Sequence, residues 1–426
     1  MSNLVFAKSL RAATCLLLLL SAILAGCDSR EGSPGNRAGS ALAGAGTGSF
    51  SDPLLSDTVI ADLVQQYLDQ VSLDIQQAID SAAALNSAVD LFLADAETAR
   101  LEQLRQLWLA AHTDYEATAL HRYFFQQLMN HSNSGLDLGL SLDRLHFQIN
   151  YWPILPGYID YLSDYPGSGV VGDMTLPLNP ESILQQHGAY DLAEALLGFH
   201  PLEFLLWGEN TTPGVNLRPA SDYLAVTQLT AEQLDEGLQL IQLDNNRRRV
   251  LLDLVSDHLV DDLRAIQQLW SRNQVTLRTI IDSLGSTGDI RLLLDAITAQ
   301  LSDEILVRSL YPMLNGDFQG SHQSPYSHSS ENAVIAQLAS VERLLLTTGS
   351  NDLSLEAMLS ILDPEFSAAF FLNFDSSKAC LARLYASAPP SSDPRQSIQT
   401  EFATVECINQ VANMINTVER MKQSIP

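Results

Sequence analysis

Apolar side chains recur along most of this chain at the spacing of a helix. Leu55, Val59, Leu63, Tyr67 and Val71 fall every fourth residue, and Ile60, Val64 and Leu68 widen the stripe. That periodicity predicts a helix that buries one face. Asp52 followed by Pro53 reads as its cap and first helical position. Residues 100–125 repeat the pattern around Leu101, Leu104, Leu107, Trp108 and Ala111, and it returns over residues 247–275, 290–314, 331–346 and 401–421. No stretch alternates apolar and polar residues in a sustained way, so the expected fold class is all-α.

Irregular stretches separate these segments at residues 130–143, 151–181, 209–222, 315–330 and 388–395. Long loops inside a helical domain often carry function. A flexible tether precedes the first helix, leaving roughly 375 residues, more than one core usually organises. The division is expected near residues 223–232. It gives two four-helix-type bundle halves, residues 52–228 and 229–426. No residue-level repeat relates them.

The first residues hold only Lys8 and Arg11 as charges, then an apolar run over residues 12–25, then Gly26 and Cys27. A basic start, a short apolar core and small residues at a cut site make a secretory signal. The run is too short to span a hydrocarbon core of about 30 Å comfortably. Its small-small-Cys ending resembles the bacterial lipoprotein signal, in which Cys27 is acylated and becomes the new N-terminus. Residues 1–26 would be removed, and the tether of residues 27–51, rich in Gly, Ser and Ala, would link the lipid to the folded body. The expected location is therefore exported, lipid-anchored and periplasm-facing. Asp28 resembles an inner-membrane retention signal, but the choice between inner and outer membrane stays open.

Loss of Lys8 and Arg11 takes the formal net charge from −27 to −29. Such a surface excludes binding to nucleic acid through its phosphates and attracts cations. Cys15 leaves with the signal and Cys27 carries lipid, so Cys380 and Cys407 remain. They form either a disulfide, which the exported compartment permits, or two buried thiols.

The residues with the clearest chemistry lie at 198–208. His200 and Glu203 are three apart and share a face on a helix. An imidazole nitrogen beside a carboxylate oxygen makes half of a site for iron or zinc. Pro201 disfavours the α conformation at His200, which places His200 at a helix start and Glu203 in the first turn. A helix-capping His–Glu bond would use the same spacing.

The segment resembles the Gly-x-His-x-x-Glu signature of the imelysin family, carried here by Gly198, His200 and Glu203. Trp108 and Tyr115 resemble that family's Trp/Tyr helix. Asn150, Tyr151, Trp152 and Pro153, with Asp160 beyond, resemble its Trp-Pro segment. Arg218 and Pro219, with Asp222 and Tyr223, resemble the elements after the signature. Residues 247–270 resemble the helix opening the second half, and Ser324, Pro325, Tyr326 and Ser327 its Ser-Pro-Tyr-Ser element. The resemblance implies two helical bundles on an exported, often lipid-anchored body. It implies metal ligation by His200 and Glu203, with Glu116, Tyr115, Trp152, Asp160, Arg218, Asp222, Ser324 and Ser327 as candidate site lining. One departure matters: Ala119 stands where members often carry Glu, and His112 where a nearby position is often Arg. Glu116 lies close by, but its side chain is expected to point elsewhere.

Two activities are associated with that family, iron acquisition at the cell envelope and a metallopeptidase class. A zinc peptidase needs three protein ligands, an open position for water and a general base. Phe204 stands where the inverse His-x-x-Glu-His motif needs a second His, so neither base nor third ligand is evident. His322 and His328 are candidate distant ligands or ordinary loop histidines. A binding protein needs only oxygen ligands and an imidazole, which suits iron, with zinc as the alternative. The expectation is an envelope lipoprotein that binds a metal ion, iron in preference, in support of uptake. Its partners would be the membrane, through the lipid, and an envelope iron transporter. A metallopeptidase and a metal-free interaction module are the alternatives.

Overall fold

The computed structural model describes residues 50–131, 138–386 and 394–426. Among them the structure is helical, and the only β pairings are isolated bridges, Leu162 with Tyr165 and Thr348 with Ser354. No described helix is long and apolar enough to cross a membrane. The signal residues, Cys27 and the tether up to residue 49 lie outside the described residues.

Asp52 does cap, accepting a bond from the Leu54 N–H at 2.9 Å, but it caps a single 3-10 turn, Pro53–Leu55. Helix α1, Asp57–Ala94, starts afterwards. Its buried face runs through Ile60, Leu63, Val64, Tyr67 and Val71, with Val59 and Leu68 only partly buried beside it. The helix expected over residues 100–125 is two helices, α2, Thr98–Glu116, and α3, Ala119–His131. Thr118 explains the break. Its Oγ1 donates to the Tyr115 carbonyl at 2.7 Å, the acceptor that a continuing helix would offer to the N–H of residue 119. Helix α4, Leu138–Asn150, occupies part of the stretch expected to be irregular at residues 130–143.

Helix α5 is Phe199–Trp207. Helix α6, Asp244–Gln300, turns at Gly285, where φ is 67°. The chain then widens into a π-helix, Leu301–Leu310, inside the segment expected to be one α-helix. Helices α7, Ser330–Leu346, α8, Leu355–Leu362, α9, Phe366–Ala386, and α10, Pro394–Ser424, complete the chain. Part of the expected loop at 388–395 lies outside the described residues.

The described residues fall within one compact unit. Helix α6 packs along α1 and α3, and α1 along α2. The π-helix, α7, α9 and α10 pack together as a second group, and α7 also reaches α2 and α3. Cys380 and Cys407 form a disulfide between α9 and α10, with Cα atoms 5.5 Å apart. The long stretch between α4 and α5 is held to α6 by Arg247, which donates to the carbonyls of Val170, Val171 and Leu176 at 2.7–2.9 Å.

Candidate functional site

Every residue of α5 is buried, so its polar ends must find partners inside the protein. At the start, Gly198 has φ 96°, and a Cβ there would collide with the backbone of Gln148 and Ile149. Only glycine allows that approach of α5 to α4. At the other end, Tyr223 Oη donates to the Leu205 carbonyl at 2.6 Å and Arg105 Nη2 to the Leu206 carbonyl at 2.9 Å. Trp108 Nε1 holds the Phe199 carbonyl at 2.9 Å. His200 thus sits in the first turn of a fully packed helix, while Glu203, expected in that turn too, lies just beyond it.

Glu203 is completely buried. Its Oε1 accepts from the N–H groups of Tyr326 and Ser327 at 3.0 and 2.7 Å and from Ser327 Oγ at 2.7 Å. Its Oε2 lies 3.4 Å from His200 Nδ1. The other His200 nitrogen, Nε2, is buried and meets no protein partner among the described residues. The His200 ring stands edge-on to that of His112, centroids 5.3 Å apart. His112 stacks on Trp108 and lies 3.2 Å from Glu116 through Nε2. Glu116 in turn accepts from Asn150 Nδ2 at 2.6 Å and from Gln337 Nε2 at 2.7 Å. Two imidazoles and two carboxylates from α2 and α5 therefore form one buried chain, clamped by α4, α7 and the segment before α7.

The two carboxylates differ in charge preference. Burial pushes Glu203 up to about 7, against the bonds from Ser327 and Tyr326. Burial also opposes ionisation of Glu116, but bonds from His112 and Gln337 and the nearby positive charges of His112 and Arg122 outweigh it and hold Glu116 at about 2. Burial drives His200 well below the ordinary histidine value, which favours the neutral imidazole.

Glu116 corrects an expectation. It points into the site, not away from it, because Leu104, Trp108, His112 and Glu116 extend one stripe of α2. Ser327 also reaches the site, through Glu203. Tyr115 borders it, its ring 5.3 Å from that of Phe199 and its hydroxyl 2.9 Å from His146 Nδ1. Ser324 is buried beside the clamp, its N–H bonded to Ser330 Oγ at 3.0 Å. Trp152 lies under the Arg308 guanidinium, 5.1 Å from its ring centre.

Asp160, Arg218 and Asp222, expected as site lining, belong to another cluster. Arg218 Nη1 lies 2.9 Å from Asp160 and 3.2 Å from Asp222. Arg248 of α6 binds Asp160 at 2.5 and 3.0 Å. Both carboxylates are thus committed to guanidinium groups, and no bond joins them to His200 or Glu203. The candidate distant ligands stay apart too. His322 bonds to Ser321 and Phe318 within its own turn, and His328 is exposed. Among the described residues no three His, Cys, Asp or Glu side chains already converge as a metal-binding group. Gln337 carries no signal in the sequence as a site residue, since it acts through Glu116 from a distant part of the chain, and Asn150, which enters only within the Trp-Pro segment, is not singled out.

The family model for imelysin matches residues 65–422. The chain belongs to the imelysin family. A solved structure shares its fold. An iron-regulated protein A precursor from Parabacteroides distasonis is 13% identical with a TM-score of 0.55, covering 87% of this chain and 96% of that one. An imelysin-like protein from Psychrobacter arcticum is 15% identical with a TM-score of 0.49, covering 84% and 93%. No curated protein sequence matches.

Proposed function

We propose that this imelysin-family chain binds a metal ion, iron in preference to zinc, at the buried His112–Glu116–His200–Glu203 chain, as cargo for iron uptake at the cell envelope. The observation that carries the reading is His200 Nε2, a buried nitrogen without a protein partner among the described residues, held beside a second imidazole and two carboxylates. A buried polar atom of this kind calls for water, an ion or a ligand. Mixed nitrogen and carboxylate donors suit iron and zinc.

Ligation requires Glu203 and Glu116 to rotate part-way from their present donors, since three ligand atoms do not yet converge. The Ser327 hydroxyl and the Asn150 and Gln337 amides are the groups that would release and steady them. The Parabacteroides neighbour is described as iron-regulated, which supports iron over other metals. The expected lipid on Cys27 would keep such a carrier near a membrane transporter.

The reading is tested by equilibrium metal titration of the chain from Asp28 onward, beside His200→Ala/Glu203→Ala. Wild type should bind about one ferrous or ferric ion per chain, and the double variant should bind at least about tenfold more weakly, since each tenfold is about 1.4 kcal/mol of lost ligation. Equal binding by the two proteins would sink it.

A further inference from the structure

Helices α1 and α6 lie side by side, and Asn86 Nδ2 of α1 donates to Asp257 Oδ1 of α6 at 3.0 Å. Along α6 from that bond, positions 257, 253, 250 and 246 make one stripe. At its Asn246 end the stripe walls a groove of about 600 Å³, lined also by Leu93, Val226, Leu240 and Ile241. That volume lies in the range of about 300–1,000 Å³ typical of ligand clefts. A second groove of about 290 Å³ shares Ile241 and Val250 and adds Met174 and Leu176. Ile241 is 56% exposed and Met174 48%. These apolar side chains line two adjoining grooves instead of standing singly, and an exposed patch of that kind marks an interaction surface.

The groove wall is preformed. Asn246 Oδ1 accepts from the Val226 N–H at 3.0 Å, and its Nδ2 donates to the carbonyls of Val226 and Leu240 at 2.9 and 2.8 Å. A partner therefore meets a shaped surface, and docking costs less in ordering.

Charge selects the partner. Asp253 lines the first groove, and burial together with the charges of Asp257 and Asp90 pushes its carboxyl up. No guanidinium or ammonium of a described residue pairs with any of these three carboxylates. Arg249, on the same wall, directs its N–H groups to the carbonyls of Tyr223 and Leu93 at 2.8 and 2.6 Å. Three carboxylates against that one guanidinium leave the rim negative. Such a rim repels an anionic lipid surface, and a second copy would bring the same carboxylates into the contact. A segment with apolar side chains for the grooves and Lys or Arg for the rim meets neither obstacle. Asp253 and Asp257 are one turn apart, about 6 Å along the axis, which fits basic residues one turn apart on a helix.

We propose that the grooves about Ile241 and Val250, with the rim of Asp90, Asp253 and Asp257, are a docking surface for a basic amphipathic helix of a partner protein. No residue of the His112–Glu116–His200–Glu203 chain takes part, so the surface stands or falls apart from the metal reading.

The test is fluorescence-anisotropy titration of the chain from Asp28 onward with a labelled Leu/Lys amphipathic helix of about four turns. The same helix with Glu for Lys, and a scrambled Leu/Lys sequence, are the controls. The Leu/Lys helix should bind saturably and both controls at least about tenfold more weakly. Asp253→Asn/Asp257→Asn should weaken it about five- to tenfold. Ile241→Ser, at an exposed residue, should weaken it about tenfold or more while the thermal melt stays that of wild type. Glu365→Gln/Asp375→Asn removes the same charge from exposed positions at α9 and should leave binding unchanged. No saturable binding, an equal loss in the α9 variant, or Ile241→Ser binding as tightly as wild type would each overturn the proposal. Dimerisation of the chain, or its sedimentation with phosphatidylcholine vesicles, abolished by Ile241→Ser would give the surface another occupant and overturn it too.

Discussion

At the scale of single residues, Glu203 and Glu116 make opposite demands on pH. Glu203 keeps its proton to about 7 when folded, above its ordinary 4.5. Between those values the folded chain binds a proton that the unfolded chain has lost, so stability falls as pH rises through that window. The loss is on the order of 3 kcal/mol, at about 1.4 kcal/mol per unit. Glu116, held at about 2, contributes stability above about 4.5 that is lost as pH falls towards 2. Denaturant melts between pH 4.5 and 8 should show the first slope in wild type and a flatter one in Glu203→Gln, which keeps an acceptor for Ser327. An unchanged slope would place the titration elsewhere. Gly198→Ala tests the other constraint on α5. Its φ of 96° and the backbone of Gln148 and Ile149 leave no room for a Cβ, so a loss of about 2–3 kcal/mol is expected in the same melts. The spacing of His200, Pro201 and Glu203 made their place near the start of a helix legible, because that relation is local, although Glu203 falls just past the first turn. Their partners were not. Tyr326 and Ser327 lie more than a hundred residues further along the chain, and no spacing rule reaches that far. Glu116 was named as a candidate, but its direction was misjudged: positions 104, 108, 112 and 116 fall every fourth residue and share one buried face of α2.

At the scale of elements, strong periodicity located α1, α2, α6, α7 and α10. Boundaries failed where side chains or backbone overrule propensity. Thr118 takes the Tyr115 carbonyl and divides one expected helix into two. Helix α9 escaped because its apolar residues are too dense for a clear stripe, with Phe366, Phe370, Phe371 and Phe374 within nine residues, whereas α4 and α8 do carry an apolar stripe and were readable. The π-helix has no spacing of its own to read. The disulfide between α9 and α10 closes a separation of 27 residues, for which the chain-entropy model gives about 3.5 kcal/mol. Reduction, or Cys380→Ser/Cys407→Ser, should lower the melting temperature and raise amide exchange first in α9 and α10. Loss of protection spread evenly over all helices would show that the pair is not a local staple.

At the scale of the whole molecule, the proposed metal binding would draw on the acidic surface as well as the buried site. A formal charge of −27 raises the local concentration of cations around the protein, and salt screens that field over about 8–10 Å. The association rate for a divalent metal should fall as ionic strength rises, while the dissociation rate from the buried ligands stays nearly constant. Stopped-flow measurements in increasing salt separate the two; a dissociation rate that rises in step with salt would mean surface binding. The family and its helical fold were legible from motifs spread along the chain, some on helices, such as Trp108 and His200, and some in the segments between them, such as Trp152, Arg218 and Ser327. The packing of α6 and α7 against helices of the first half was not, since those contacts join residues far apart in the sequence.

The most direct measurement is X-ray absorption at the iron edge of the metal-loaded chain, wild type beside His200→Ala. Imidazole ligation adds characteristic outer-shell scattering to a carboxylate oxygen shell. The account predicts that scattering in wild type and its reduction or loss in the variant. An all-oxygen shell, identical in both proteins, would contradict it and place the metal on surface carboxylates.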